Sequence, residues 1–148
     1  MKIKSIAITV TTLLSLVLLV LWGNQFYNVN TVLNSQGNCQ LINNQCAFSL
    51  DQQRLSIKFE QSPIPEEELF VQFEHSENIQ IHKVYVEGVN MYMGKTPVIF
   101  EDANSLRGVF FLGSCNLPEM QWQMVIEVSR EGQTNTNQHL IVNFSTVQ

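Results

Sequence analysis

The stretch that decides the fold is residues 54–60, which read Arg-Leu-Ser-Ile-Lys-Phe-Glu. Apolar and polar residues alternate along it, so one face is apolar and the other is hydrophilic. This period of two is typical of a β-strand with one buried and one solvated face. The same alternation returns at 69–73, 121–129 and 140–144. The stretch therefore belongs to a repeated pattern of half-buried strands.

Three further segments are predicted strands: 79–89, 97–101 and 108–112. In the first of them the apolar phase switches between Ile81 and Val84, which predicts a β-bulge near His82-Lys83. About seven short strands without a convincing helix predict an all-β fold, an antiparallel β-sandwich of immunoglobulin-like architecture. A small open barrel is the alternative.

The first 22 residues differ in character from the rest. Lys2 and Lys4 precede Ser5–Trp22, in which thirteen of eighteen residues are apolar. As a helix this segment would rise about 27 Å, close to the ~30 Å hydrocarbon core of a bilayer. Residues 21–27, at the end of the apolar segment, lack the small-x-small motif that a signal peptidase cleaves. They carry aromatic residues typical of a membrane interface. We expect an uncleaved transmembrane anchor over residues 5–22, with a cleaved signal or a buried core helix as alternatives.

The charge distribution predicts how this anchor divides the chain. Positive charge ahead of the apolar segment places residues 1–4 in the cytoplasm and the remainder outside it. Residues 23–38 carry no charge and are rich in Asn, Gln, Ser and Thr, as expected of a polar spacer. Residues 39–148 then form an extracytoplasmic domain. After Lys4 the chain has six basic and thirteen acidic residues, which argues against a nucleic-acid partner.

The chain contains three cysteines. Cys39 and Cys46 flank the turn-forming residues 41–44, and in an oxidising compartment they are expected to form a local disulfide. One alternative is a cross-sheet bond from Cys46 to Cys115. Another is a redox-active pair, although Cys-x-x-Cys is absent.

Apart from the initiator, every methionine falls in one of two short windows around Cys115. Met91 and Met93 lie where a strand runs into a turn, on the same side of that strand. Met120 and Met124 follow Cys115. Thioether and thiolate sulfurs are soft ligands that select Cu(I), so Met91, Met93, Cys115 and Met120 are the predicted metal site. Methionine also fills gaps in cores; we expect that role for Met124, and for Met120 core and loop positions are equally open.

Other chemistry receives less support from the sequence. His75 and His82 would need a hairpin to bring them together, near Glu74, Glu77 and Glu87, before they could hold Zn²⁺ or Cu²⁺. The chain has no HExxH, GxSxG, Walker-type or dinucleotide-binding glycine motif. We therefore expect a protein that is not an enzyme.

Several fragments occur together in a fixed order: Cys39-x6-Cys46, Pro63-x-Pro65, the run 88–94, and Cys115-x4-Met120-x-Trp122. This combination, over residues 39–130, resembles a group of small membrane-anchored periplasmic proteins of proteobacteria. These are loosely similar to FixH-like proteins and often accompany Sco-type copper chaperones of respiratory oxidase assembly. The resemblance implies an inner-membrane protein with a periplasmic domain. It also implies copper at the four predicted sulfur ligands, and a membrane complex or copper chaperone as partner.

Two functional hypotheses follow. In the first, an anchored extracytoplasmic β-sandwich binds Cu(I) or assists assembly of a copper-dependent respiratory oxidase. In the second, the sandwich is a non-metal protein–protein interaction module that docks on an inner-membrane complex through a sheet edge or an apolar patch. Convergence of the four sulfur-bearing side chains would favour the first hypothesis, and their dispersal through the core would favour the second.

Overall fold

The computed structural model describes residues 13–16, 33–34, 37–102, 105–130 and 138–147. The chain divides into two compact units, Met1–Asn30 and Thr31–Gln148. In the first unit, residues 13–16 are helical and their leucines are exposed. The rest of the predicted anchor 5–22, and most of the spacer 23–38, lie outside the described residues. Among the residues that are described, no helix has the length and apolar character needed to cross a membrane.

The second unit consists of short strands. In chain order they are β1 (Leu33–Asn34), β2 (Asn38–Gln40), β3 (Gln45–Leu50), β4 (Gln53–Phe59), β5 (Glu68–His75), β6 (Ile79–Gly88), β7 (Lys95–Pro97), β8 (Ile99–Phe100), β9 (Arg107–Phe111), β10 (Glu119–Arg130) and β11 (Gln138–Val147). The first sheet has the order β1-β3-β4-β5-β9-β8, and the second has the order β2-β11-β10-β6-β7. Only β1 beside β3 and β2 beside β11 are parallel among these described pairs. The predicted all-β sandwich is confirmed.

The predicted bulge in β6 is also confirmed. Lys83 pairs with Glu127, whereas the next residue of β10, Val128, pairs with Ile81. His82 is therefore the extra residue, and its Nε2 lies 2.6 Å from the Ser129 hydroxyl. The bulge lets apolar residues on both sides of it face the core.

The core lies between the sheets and takes every second residue of the long strands. Leu55, Ile57 and Phe59 are each at most 1% exposed. The Phe59 ring packs edge-on against Phe110 of its own sheet at 5.5 Å and against Phe144 of the opposite sheet at 5.3 Å. Edge-to-face contacts of this kind add to the free energy gained by burying the rings.

One buried hydrogen bond ties the last two strands together inside the core. The Trp122 indole N–H in β10 donates to the Thr146 hydroxyl in β11 over 3.0 Å. Thr146 is the one buried polar residue in the described part of the chain. Its hydroxyl satisfies the indole donor, which would otherwise lose a hydrogen bond on burial.

The chain passes from the second sheet to the first at Val98, between β7 and β8. Val98 is 7% exposed, and its N–H donates to the Val84 carbonyl over 2.9 Å. A β-carbon on Gly108 of β9 would lie 2.4 Å from Val98 Cγ1, so this position has room only for glycine. The prediction of one strand over 97–101 is wrong, because Val98 buries its side chain and the residues on either side of it join different sheets.

A tight turn and a disulfide join the sheets at the start of the sandwich. Asn43 and Asn44 have φ angles of 50° and 61°, as two-residue type I′ turns require. Cys39 of the second sheet is bonded to Cys46 of the first, with Cα atoms 6.2 Å apart. The local pairing is therefore confirmed, and Cys115 lies outside the bond.

Gly108→Ala is expected to destabilise the fold by about 1–3 kcal/mol, because the new methyl group overlaps Val98. Denaturant unfolding of the full chain measures the loss. In a Val98→Ala background the same glycine substitution should cost much less, since the overlapping atom is gone. An equal cost in both backgrounds would show that the close approach does not matter.

Reduction of the Cys39–Cys46 bond is expected to lower the unfolding free energy by about 2–3 kcal/mol, because the crosslink restricts the unfolded chain. The measurement compares urea midpoints with and without reductant. Cys39→Ala/Cys46→Ala should reproduce the reduced value and be insensitive to reductant. A Cys115→Ser variant, which keeps the bond, should retain the full response to reductant.

Candidate functional site

The predicted sulfur ligands lie on elements that meet at one end of the sandwich. Met91 and Met93 are in the turn 89–94 between β6 and β7, and Cys115 is in the loop 112–118 between β9 and β10. Met120 is the second residue of β10. Because β6 and β10 are antiparallel and Trp122 pairs with Gly88, the end of β6 lies beside the start of β10. The strand order thus brings both sulfur-bearing segments to the same place.

Asn90 fastens the turn 89–94 to β10. Its amide nitrogen donates to the Glu119 carbonyl, and its amide oxygen accepts from the Gln121 N–H, each over 3.0 Å. The Val89 N–H also donates to the Gln121 carbonyl over 2.8 Å. These three bonds continue the ladder of β6 and β10 past the end of β6. The turn is therefore held in one position over the start of β10.

Two glycines allow the methionines to pack closely. A β-carbon on Gly113 would lie 2.8 Å from Met93 Cε and 3.9 Å from its Sδ. A β-carbon on Gly88 would lie 3.0 Å from Met120 Cε and 2.2 Å from the Met91 carbonyl oxygen. Met93 therefore bridges to the loop that carries Cys115, and Met120 lies beneath the turn.

The methionine and cysteine side chains differ in burial. Met91 is 43% exposed, whereas Met120 is 3% exposed and Met124 is fully buried. Met93 and Cys115 are half-buried and pack against the core. The core assignment of Met124 is confirmed, and Met120 proves to be an inward-facing strand residue. The prediction that Met91 and Met93 share a side of a strand is wrong, because β6 ends at Gly88 and β7 begins at Lys95, so both lie in the turn between them.

The charged groups next to the turn are paired with one another. Lys95, which follows Gly94 (φ 81°), donates to the Tyr85 hydroxyl over 3.2 Å and lies 3.5 Å from a Glu87 oxygen. The hydrogen bond to Tyr85, together with the Glu87 carboxylate, raises the pKa of Lys95. Gln123 donates to the other Glu87 oxygen over 2.6 Å. This network fixes β7 against β6 and leaves sulfur as the prominent donor type within the turn.

A second charge cluster lies on the outer face of the first sheet, away from the turn. Arg107 donates to Glu60 over 2.6 and 2.9 Å and to Glu101 over 2.6 Å, and its guanidinium lies 4.1 Å from the Phe70 ring centroid. The hydrogen bond from Arg107 lowers the pKa of Glu60, and the two carboxylates raise the pKa of Arg107. The cluster joins β4, β9 and the turn after β8, and we interpret it as structural.

The two histidines considered as metal ligands line one groove of about 720 Å³ at the opposite end of the sandwich. His75 Nδ1 lies 2.9 Å from the Ser76 carbonyl, and His82 contacts Ser129. Within the described ranges, no group of three or more His, Cys, Asp or Glu side chains is arranged to hold a metal ion.

Sequence reasoning missed an apolar surface at the same end as the sulfur residues. Of the nine large apolar side chains exposed among the described residues from 37 to 147, seven lie at this end: Ile42, Ile64, Val89, Met91, Tyr92, Phe111 and Val147. We call this surface, formed by the turns 41–44 and 89–94, the loop 60–67 and the adjoining strand ends, the apolar end. Its members come from five separate parts of the sequence, with Val89, Met91 and Tyr92 in one turn, and exposed apolar residues scattered in this way carry no signal of their own.

Comparison of the chain with protein-family models, with curated protein sequences and with solved structures finds no match. The site is therefore interpreted from its own geometry and chemistry.

Asn90→Ala is expected to destabilise the protein by about 1–3 kcal/mol and to raise amide hydrogen exchange within 89–94, because both side-chain bonds to β10 are lost. Hydrogen exchange read by mass spectrometry locates the change. Asn90→Asp keeps the acceptor for Gln121 and loses the donor to Glu119, so it should give an intermediate effect. Unchanged exchange in Asn90→Ala would show that the backbone alone positions the turn.

Proposed function

We propose that this chain is a single-pass protein of the inner membrane whose immunoglobulin-like β-sandwich lies in the periplasm and binds Cu(I). The observation that supports this is the contact of Met93, in the turn 89–94, with Gly113 in the loop that carries Cys115. The resemblance of residues 39–130 to small membrane-anchored periplasmic proteins of proteobacteria supports a role in assembling a copper-dependent respiratory oxidase, with a membrane complex or a copper chaperone as the partner. The protein has no catalytic role of its own in this proposal.

The donor set suits Cu(I). Thioether and thiolate sulfurs are soft ligands and discriminate against Mg²⁺ and Ca²⁺, which take oxygen donors. Met91 is exposed, and Met93 and Cys115 are half-buried, so an ion arriving from solvent would meet these three first. Met120, at 3% exposure, is the innermost of the four. A cysteine ligand must lose its proton, so affinity should fall as the pH falls.

The test is Cu(I) competition. The full-length chain, with Cys115 reduced and the Cys39–Cys46 bond intact, is titrated against a chromophoric Cu(I) chelator of micromolar affinity, and it should remove the metal from the chelator. Met93→Leu and Cys115→Ser should each weaken binding by at least about tenfold, since even changes around a metal's ligands cost 10–100-fold. Met124→Leu is the matched control, because this methionine is buried in the core outside the predicted site.

Two results would contradict the copper proposal. One is a parent chain that takes no Cu(I) from the chelator. The other is a Met124→Leu variant that loses as much affinity as Met93→Leu, which would mean that the methionines act through packing.

The second candidate function is the non-metal interaction module, and the clustering of seven exposed apolar side chains favours it. Monomeric proteins rarely expose a large contiguous apolar surface without using it for contact. In that case Met91→Leu, Met93→Leu and Met120→Leu would leave docking on the inner-membrane complex intact, because leucine preserves the apolar surface. A charged residue in place of Tyr92 would abolish that docking, because it would disrupt the apolar surface.

A further inference from the structure

The apolar end is also the end at which the chain enters the sandwich. β1 runs parallel to β3, with Leu33 beside Ala47 and Asn34 beside Phe48. β3 begins directly after the turn 41–44, which belongs to the apolar end, so β1 runs away from that end. Leu33 is therefore the residue of β1 nearer the apolar end.

The proposed anchor would confine this end to the neighbourhood of the bilayer. Residues 23–32 connect the anchor 5–22 to β1, and ten residues reach at most about 35 Å when fully extended. The apolar side chains project from three separate turns and loops and from two strand ends. Tyr92, 78% exposed at the tip of the turn 89–94, is the kind of residue that places an apolar ring and a polar hydroxyl at a lipid interface.

We propose that the apolar end rests on the outer surface of the bilayer that holds the anchor, with Tyr92 and its apolar neighbours in the headgroup region. The occupant of this surface is phospholipid. The inference rests on the proposed anchor and is independent of copper binding.

The charges of the same surface specify which lipid it suits. Glu66, Glu67 and Glu119 are exposed beside the apolar side chains, and the domain as a whole is acidic. Interfacial segments that bind anionic lipids are rich in Lys and Arg instead. The apolar end therefore fits a zwitterionic surface, and anionic lipid should weaken the contact.

The experiment uses the full chain reconstituted into vesicles of brominated phosphatidylcholine, whose bromine atoms quench tryptophan at the depth of the acyl chains. Tyr92→Trp adds a reporter at the apolar end. Leu106→Trp, at a position 46% exposed on the opposite end, is the matched control. The emission of the parent chain, which contains Trp22 and Trp122, is subtracted from each variant.

Quenching of most of the added emission in Tyr92→Trp, with none in Leu106→Trp, is the expected result. Added phosphatidylglycerol should reduce that quenching, and Glu66→Gln/Glu67→Gln should restore part of it. Absence of quenching at position 92 would overturn the inference and point to a protein partner or a second copy of the chain on this surface. Equal quenching at both positions would overturn it too, because the sandwich would then have no preferred end.

Alkaline carbonate extraction of the same vesicles separates this inference from the proposed anchor. A chain that resists extraction but shows no quenching at position 92 retains its anchor and lacks the lipid contact. A chain that carbonate removes has no anchor, and the lipid contact is overturned together with it.

Discussion

Burial of one apolar face from each of two sheets is the constraint on which the rest of the structure depends. Neither sheet can shield its apolar face alone, so the two must pack together, and Phe59 against Phe144 is a direct contact between them. Every other feature adjusts the backbone to that packing. The bulge at His82 keeps β6 in phase with the core, and Gly108 leaves space for Val98 where the chain changes sheets. The disulfide joins the same two layers covalently.

The position of the apolar end follows from this packing, because both sulfur-bearing segments connect strands that the core has already positioned. The turn 89–94 continues the pairing of β6 with β10 through Asn90, and the loop 112–118 must pass from the first sheet to the second. Met93 packs where these two connections meet. Sulfur-bearing side chains and exposed apolar side chains therefore lie at the same end of the sandwich.

The elements that sequence reasoning found and those it missed differ in a consistent way. Six of the seven predicted segments each correspond to one strand and extend past its ends by at most one residue, because alternation over several residues reflects burial of one face. The strands β1, β2 and β3 and the break at Val98 were missed. β1 and β2 are too short to show periodicity, and residues 46–48 of β3 are all buried and do not alternate. The four predicted sulfur ligands were chosen from the sequence, whereas the burial of their side chains depends on tertiary contacts. Met91 and Met93, two residues apart, differ in exposure because both lie beyond Gly88, where the strand β6 ends.

The sequence by itself determined the all-β class, the long strands, the bulge near His82 and the local disulfide, because each depends on the order of neighbouring residues. Tertiary structure alone determined which loops share an end, where Val98 divides a predicted strand, and that seven exposed apolar side chains lie at one end of the sandwich. Those features join residues such as Ile42 and Val147, which are about 100 positions apart. Their proximity is set by strand order and sheet packing, which local sequence patterns do not encode.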